Sequence, residues 1–246
     1  MLELKNISYV VTNDGQTKEI LKDVSLTLDE RFVAFTGPNG GGKSTLAKII
    51  MVIYTPTSCQ IIFNGQDITN LSITERARLG ISFAFQQPVK FKGITVYDLI
   101  KMASGENLTV AKVCEYLSEV GLCAKEYVNR EINASLSGGE LKRIEIATTM
   151  ARKSQITIFD EPEAGIDLWS FNNLIKVFER LFQKTQGSVL IISHQERILN
   201  IADRVIVIAN GKIKDDGKKE DILSKILTPT TCSALDKDNS KKRQAE

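Results

Sequence analysis

The chain has one histidine and one tryptophan in 246 residues, and four cysteines that form no C-x-x-C pair. Cys59, Cys114, Cys123 and Cys232 stand apart, with no histidine beside any of them. Neither a zinc site nor a disulfide framework is written into that spacing, and reduced thiols are what remain. Strong charge of either sign is missing too. Lys and Arg number 32 against 30 Asp and Glu, a net charge of +2, so charge gives no reason to expect a nucleic-acid partner. Long apolar runs are also lacking: Ile49 to Tyr54, Ile156 to Phe159, Val189 to Ile192 and Val205 to Ala209 are the longest. Each is far short of the roughly 18 residues that a membrane-spanning helix needs. The N-terminus, MLELKNISYV, mixes acid and base and has no signal-peptide pattern. Together these absences predict a cytoplasmic protein with no direct membrane insertion.

What is present is ordinary globular material, 42% hydrophobic and 25% charged. That suffices for one large core, or one core carrying an inserted subdomain. LELKNISYVV, VSLTLDERFVAFTG and QIIFNGQDI alternate or cluster apolar residues over short lengths, as strands do. QITIFDE, SVLIISH and RVIVIANGKI are β-branched runs of the kind buried on both faces of a parallel sheet. Helical spacing runs through Thr45 to Tyr54, Thr109 to Val120, Leu141 to Ala151 and Leu168 to Gln183. Strands and helices alternate early and late, whereas residues 88–150 read as mainly helical, an insertion in an α/β core. From residue 228 the composition turns to Thr, Ser, Asp and Lys, and 228–246 reads as a flexible, solvated tail, with a basic docking segment as the alternative.

Four stretches carry chemistry. RFVAFTG runs into Gly37, Pro38, Asn39, Gly40, Gly41, Gly42, Lys43, Ser44 and Thr45, which fits G-x-x-x-x-G-K-[ST] between a strand and a helix. Glycines there let backbone N–H groups turn toward an anion, and the following helix adds its positive end. Lys43 would set its charge on the β- and γ-phosphates of ATP, and the Ser44 hydroxyl would ligate Mg²⁺. The strand ITIFDE would deliver Asp160 to the metal's coordination shell, with Glu161 beside the γ-phosphate as acceptor of a proton from attacking water. Ser137, Gly138 and Gly139 precede a helical run and fit two readings, a plain N-cap with a flexible approach or a second anion-binding helix end. His194, just past a buried strand, is either a satisfied structural residue or a contact to the γ-phosphate.

The set resembles the nucleotide-binding domain of ABC ATPases over nearly the whole chain, 1–227: GPNGGGKST as Walker A, LSGGE as the signature, ITIFDE as Walker B with its glutamate, AGID as the D-loop and ISH as the switch histidine. The resemblance implies a P-loop NTPase fold with a RecA-like core, an antiparallel β subdomain and the inserted helical subdomain. It also explains GISFAFQQPVKFKGITV, where an apolar strand ends at Gln86: this matches the family's Q-loop glutamine, which touches metal and γ-phosphate and answers to whatever docks on the residues after it. A sandwich homodimer formed on ATP is implied as well, with Ser137 to Gly139 of one copy closing over ATP held by Lys43 of another, and Asp167 crossing the interface. An aromatic from the first strands often stacks on adenine in this family; the aligned position carries Val11, with Tyr9 two residues earlier.

Within the family two partner classes compete, a soluble scaffold and, as the alternative, a membrane permease as in transporters; the closer resemblance is to the first, in the SufC family of SUF iron–sulfur cluster assembly. FAFQQPVKFKGITV, SHQERIL with Gln195 after the histidine, and Gly165 in the D-loop look SufC-like, while Leu141 stands where that family commonly has a second lysine. This resemblance implies a SufB/SufD-like scaffold docked on residues from Gln86 to about Tyr97, with clusters built on the partner.

Overall fold

Two sheets share the strands of this computed structural model, which describes residues 1–13, 15–133, 135–184 and 187–227. The expected tail at 228–246, Cys232 included, lies outside the described residues. In chain order the elements are β1 (Leu2–Asn13), β2 (Gln16–Leu28), β3 (Phe32–Thr36), α1 (Lys43–Ile50), β4 (Ser58–Phe63), β5 (Gln66–Asp67), α2 (Ile73–Arg78) and β6 (Ile81–Ala84). Four helices follow before the next strand: α3 (Val96–Ser104), α4 (Val110–Glu119), α5 (Ala124–Tyr127) and α6 (Gly138–Arg152). The chain then runs through β7 (Ile156–Asp160), α7 (Leu168–Lys184), β8 (Ser188–Ile192), α8 (Glu196–Leu199), β9 (Arg204–Ala209), β10 (Lys212–Lys218) and α9 (Lys219–Leu227).

The larger sheet has the order β10-β9-β3-β8-β7-β6, parallel except for β10. Its strands are buried on both faces, and the period of two decides which core each side chain joins. Phe32, Ala34, Phe159, Val189, Ile191 and Val205 face the helical block and α7. Their neighbours Val33, Phe35, Ile158, Leu190, Ile192 and Ile206 face α1 and the antiparallel sheet β2-β1-β4-β5. Two-sided burial is the reason these runs read as continuously apolar.

The sequence reading places most elements and misplaces some ends. VSLTLDERFVAFTG splits at Asp29–Arg31 into the end of β2 and all of β3, and β2 begins eight residues before Val24, in a hydrophilic stretch with no strand signal. The helix expected over 45–54 covers 43–50. RVIVIANGKI is a hairpin, turned at Asn210 and Gly211. Helix α2, ITERAR, was not expected because it lacks an apolar stripe; a Ser72–Glu75 capping box starts it. Its Arg76, 1% exposed, donates to the carbonyls of Ile49, Ile50 and Thr69 at 3.0, 2.7 and 2.8 Å. The last-turn carbonyls of α1 thereby find the donors that a helix end otherwise lacks.

Parallel order settles where the site forms. The ends of β3, β8, β7 and β6 are neighbours in the sheet, so Gly37, His194, Glu161 and Gln86 emerge side by side at one edge.

Candidate active site

At that edge the loop from Gly37 to Gly42 wraps the start of α1. Gly37 has φ 124°, and a Cβ there would lie 2.2 Å from the carbonyl oxygen of Ile208 on β9. Close seating of the loop on the sheet therefore demands glycine at this position, independently of any anion. Gly40, Gly41, Gly42, Lys43, Ser44 and Thr45 line a cavity of about 450 Å³ together with Asn39, Gln86 and Glu161, a volume suited to a small ligand. Lys43 Nζ folds over its own loop, donating to the Gly37 and Pro38 carbonyls at 2.8 and 3.0 Å. Burial pushes its pKa down, against the pull of Glu161 and Asp160.

Ser44 Oγ donates to Asp160 Oδ1 at 2.7 Å. This pairs a hydroxyl and a carboxylate as adjacent hard oxygen donors, Asp160 being only 3% exposed at the end of β7. No group of three or more His, Cys, Asp and Glu able to hold a metal exists among the described residues. The donor set fits Mg²⁺, which binds through one or two protein oxygens and completes its shell with substrate phosphates and water.

Glu161 sits at φ 45°, a left-handed conformation uncommon for a non-glycine residue and concentrated at functional sites. Its amide donates to the Ile192 carbonyl at 3.0 Å. Gln86 Nε2 donates to its Oε2 at 2.8 Å, and His194 Nε2 lies 3.6 Å from its Oε1. The pKa of His194 is lowered by burial first and by Lys43 second, with Glu161 opposing. Ser193, fully buried, donates to the Glu163 carboxylate and accepts from the Gln195 amide at 3.0 Å, tying the segment after Glu161 to the strand end that carries His194. Burial raises the pKa of Glu163.

Ser137, Gly138, Gly139 and Asp167 do not line the phosphate cavity. Ser137 caps α6 in a capping box with Glu140, its amide donating to Glu140 Oε2 at 2.6 Å, and Tyr127 OH donates to the same carboxylate. Asp167 accepts from the Ser170 amide at 3.0 Å at the start of α7. The two groups lie together: a Cβ on Gly138 would sit 3.5 Å from the Gly165 carbonyl oxygen, and one on Gly139 3.2 Å from Ser170. The chain thus bears two separate clusters, one complete around Lys43 and one around Ser137.

Sequence reasoning missed Lys18 and Ile20, which flank the glycine loop from β2. Their stretch, QTKEI, carries no motif that could have flagged them. Tyr9 does not line the cavity; its ring stacks on Tyr54 at 5.5 Å. Beside the Gln86 turn an apolar groove of about 360 Å³ opens between β6, α2 and α6, lined by Phe83, Phe85, Pro88, Val89, Phe91 and Leu141 among others. Phe85 and Val89 are exposed there.

A family model described as ABC transporter matches residues 21–164. An uncharacterized ABC transporter ATP-binding protein of Methanocaldococcus jannaschii is 41% identical over 215 residues, 83% of this chain and 85% of that protein. The probable ATP-dependent transporter ycf16 of Cyanophora paradoxa is 32% identical over 236 residues, 89% of each chain. Among solved structures, the ATP-binding cassette MJ0796, dimeric and bound to ADP and Pi in a post-hydrolysis state, superposes with a TM-score of 0.79 at 23% identity, covering 89% of this chain and 99% of that one, which shows a shared fold.

Proposed function

The chain belongs to the ABC transporter family of ATPases, which use ATP with Mg²⁺, and on that premise we propose that it is the ATP-hydrolysing motor subunit of a transporter, working at the cytoplasmic face of a membrane partner. The single observation that carries the catalytic part is the cluster at the sheet edge, where Lys43, Ser44, Gln86 and Glu161 line one cavity while Asp160 bonds Ser44 and His194 stands 3.6 Å from Glu161. Lys43 exchanges its loop carbonyls for β- and γ-phosphate oxygens. Ser44, Asp160 and Gln86 would hold Mg²⁺, which would supply neutralisation of phosphate charge. Glu161 accepts the proton of the attacking water, and neutral His194 contacts the γ-phosphate. Gly37, Asn39, Gly40 to Gly42 and Thr45 supply the rest of the phosphate cradle.

The second cluster fits a role across a dimer. Ser137 and Gly138 are exposed at the end of a fifteen-residue helix, beside exposed Asp167. In a two-fold arrangement they close over the nucleotide of the other copy. Moving such an equilibrium from 1:99 to 99:1 takes about 5.5 kcal/mol. A few charge-assisted hydrogen bonds to two γ-phosphates, each worth about 1.5–3 kcal/mol, supply that much, and hydrolysis removes them.

The names of the relatives favour a transporter. No helix among the described residues is long and apolar enough to cross a membrane, so in this reading the partner provides the spanning segments and docks on the groove beside Gln86. A second reading rests on the sequence of residues 83–96 and on Gln195: a SufC-like subunit that strains a soluble SufB/SufD-like scaffold. Crosslinking from Val89→Cys in cells separates the two. An adduct in the membrane fraction supports the transporter; a soluble adduct carrying an iron–sulfur cluster replaces it with the scaffold.

A further inference from the structure

Helix α6 has one feature that neither nucleotide contact nor groove explains. Lys142, in its second turn, is 1% exposed, a burial that ammonium groups rarely undergo. Its Nζ donates to the carbonyl of Phe85 and lies 3.0 Å from Glu145 Oε2. An ion pair spaced i, i+3 on α6, Lys142 making the bond and Glu145 fixing Lys142, therefore holds the carbonyl of one residue at the exit of β6. That residue precedes Gln86, whose amide reaches Glu161 at 2.8 Å, and its ring lines the groove wall with Glu145.

We propose that Lys142 and Glu145 are positioning residues: through Phe85 they fix the Gln86 side chain against Glu161, and they make the placement of Gln86 follow any movement of α6, the helix that begins at Ser137. The chain of contacts is continuous. A buried ammonium keeps its low energy only while its partners, the Phe85 carbonyl and the half-buried Glu145, stay within reach, so Phe85 follows α6. Phe85 cannot shift without dragging the backbone of Gln86. Nothing at the phosphate cavity is touched by the pair itself, so its effect belongs to turnover rather than to nucleotide affinity. The inference rests on ATP hydrolysis at the Glu161 edge and is independent of which partner docks.

The test is Lys142→Met with Glu145→Leu in the full chain, since apolar replacements of a buried pair are often neutral for folding. The expected result is an unchanged thermal midpoint, ATP binding within about twofold, and kcat lowered by about tenfold or more. The same loss should appear when Gln86→Ala is made alone, and combining all three changes should add little to it, because the pair acts through Gln86. A kcat near the unmodified value, or losses that multiply in the combined variant, would overturn the proposal. Should the paired substitution fail to fold, Glu145→Gln gives the same reading: a smaller kcat loss that disappears in a Gln86→Ala background supports it, and one that persists there refutes it.

Discussion

The Lys43 and Ser137 clusters are both glycine-bearing helix ends, yet they stand in opposite states. Around Lys43 every group has its counterpart in the same chain: Ser44 on Asp160, Gln86 on Glu161, His194 beside Glu161. Around Ser137 the cap is internally satisfied by Glu140, and nothing from the phosphate edge comes near enough to share the cavity. A single chain therefore presents one cluster whose members bond to one another and one exposed helix end. In the proposed reading the first is for capture of nucleotide and the second for closure over the nucleotide of another copy.

The sharpest way to break the contrast is at its catalytic half. Lys43→Ala is expected to lower ATP turnover by about 100-fold or more and to weaken binding, while Glu161→Gln should lose turnover to a similar degree and keep ATP bound, trapping a dimer by light scattering. Hydrolysis by Glu161→Gln at the unmodified rate would remove it from the role of base. Mixing comes next in size. Lys43→Ala and Ser137→Arg should each be inactive alone, yet a mixture should recover roughly a quarter of full activity, because a mixed dimer holds one site built from two sound halves. A mixture as dead as its parts would mean that each chain completes its own site.

Smaller effects sharpen the other side. Ser137→Ala removes the α6 cap and should lower stability by about 1 kcal/mol, a shift of about 2–4 °C in thermal midpoint, without nucleotide. No shift would show that the capping box contributes nothing. The least effect concerns His194. Its folded-state pKa lies below the ordinary value, so in the unfolded chain it takes a proton at a pH where the folded chain still excludes it. Stability tied to neutral His194 is thus present above pH of about 6.5 and declines as pH falls below it. His194→Gln should flatten that part of the melting profile; an identical slope in both proteins would assign it to other groups.

The site was legible where chemistry demands short, fixed spacings, as from Gly37 to Thr45 and in Asp160 with Glu161. Buried parallel strands were legible because both faces must be apolar. Less visible was the reason for some of the glycines: Gly37 is excluded from having a side chain by β9, a contact far along the chain. Helix α2 was hidden because its central residue, Arg76, buries a charge that sequence rules assign to solvent. Lys142 was hidden likewise: its partner Phe85 lies 57 residues away, and no local pattern announces that pairing.

The bent-back posture of Lys43 has a bearing on the working cycle. Its buried ammonium already has two acceptors in the carbonyls of its own loop. Phosphate oxygens reaching the loop would compete with those bonds, so the net grip on an anion would be the difference between two sets of contacts rather than the strength of one.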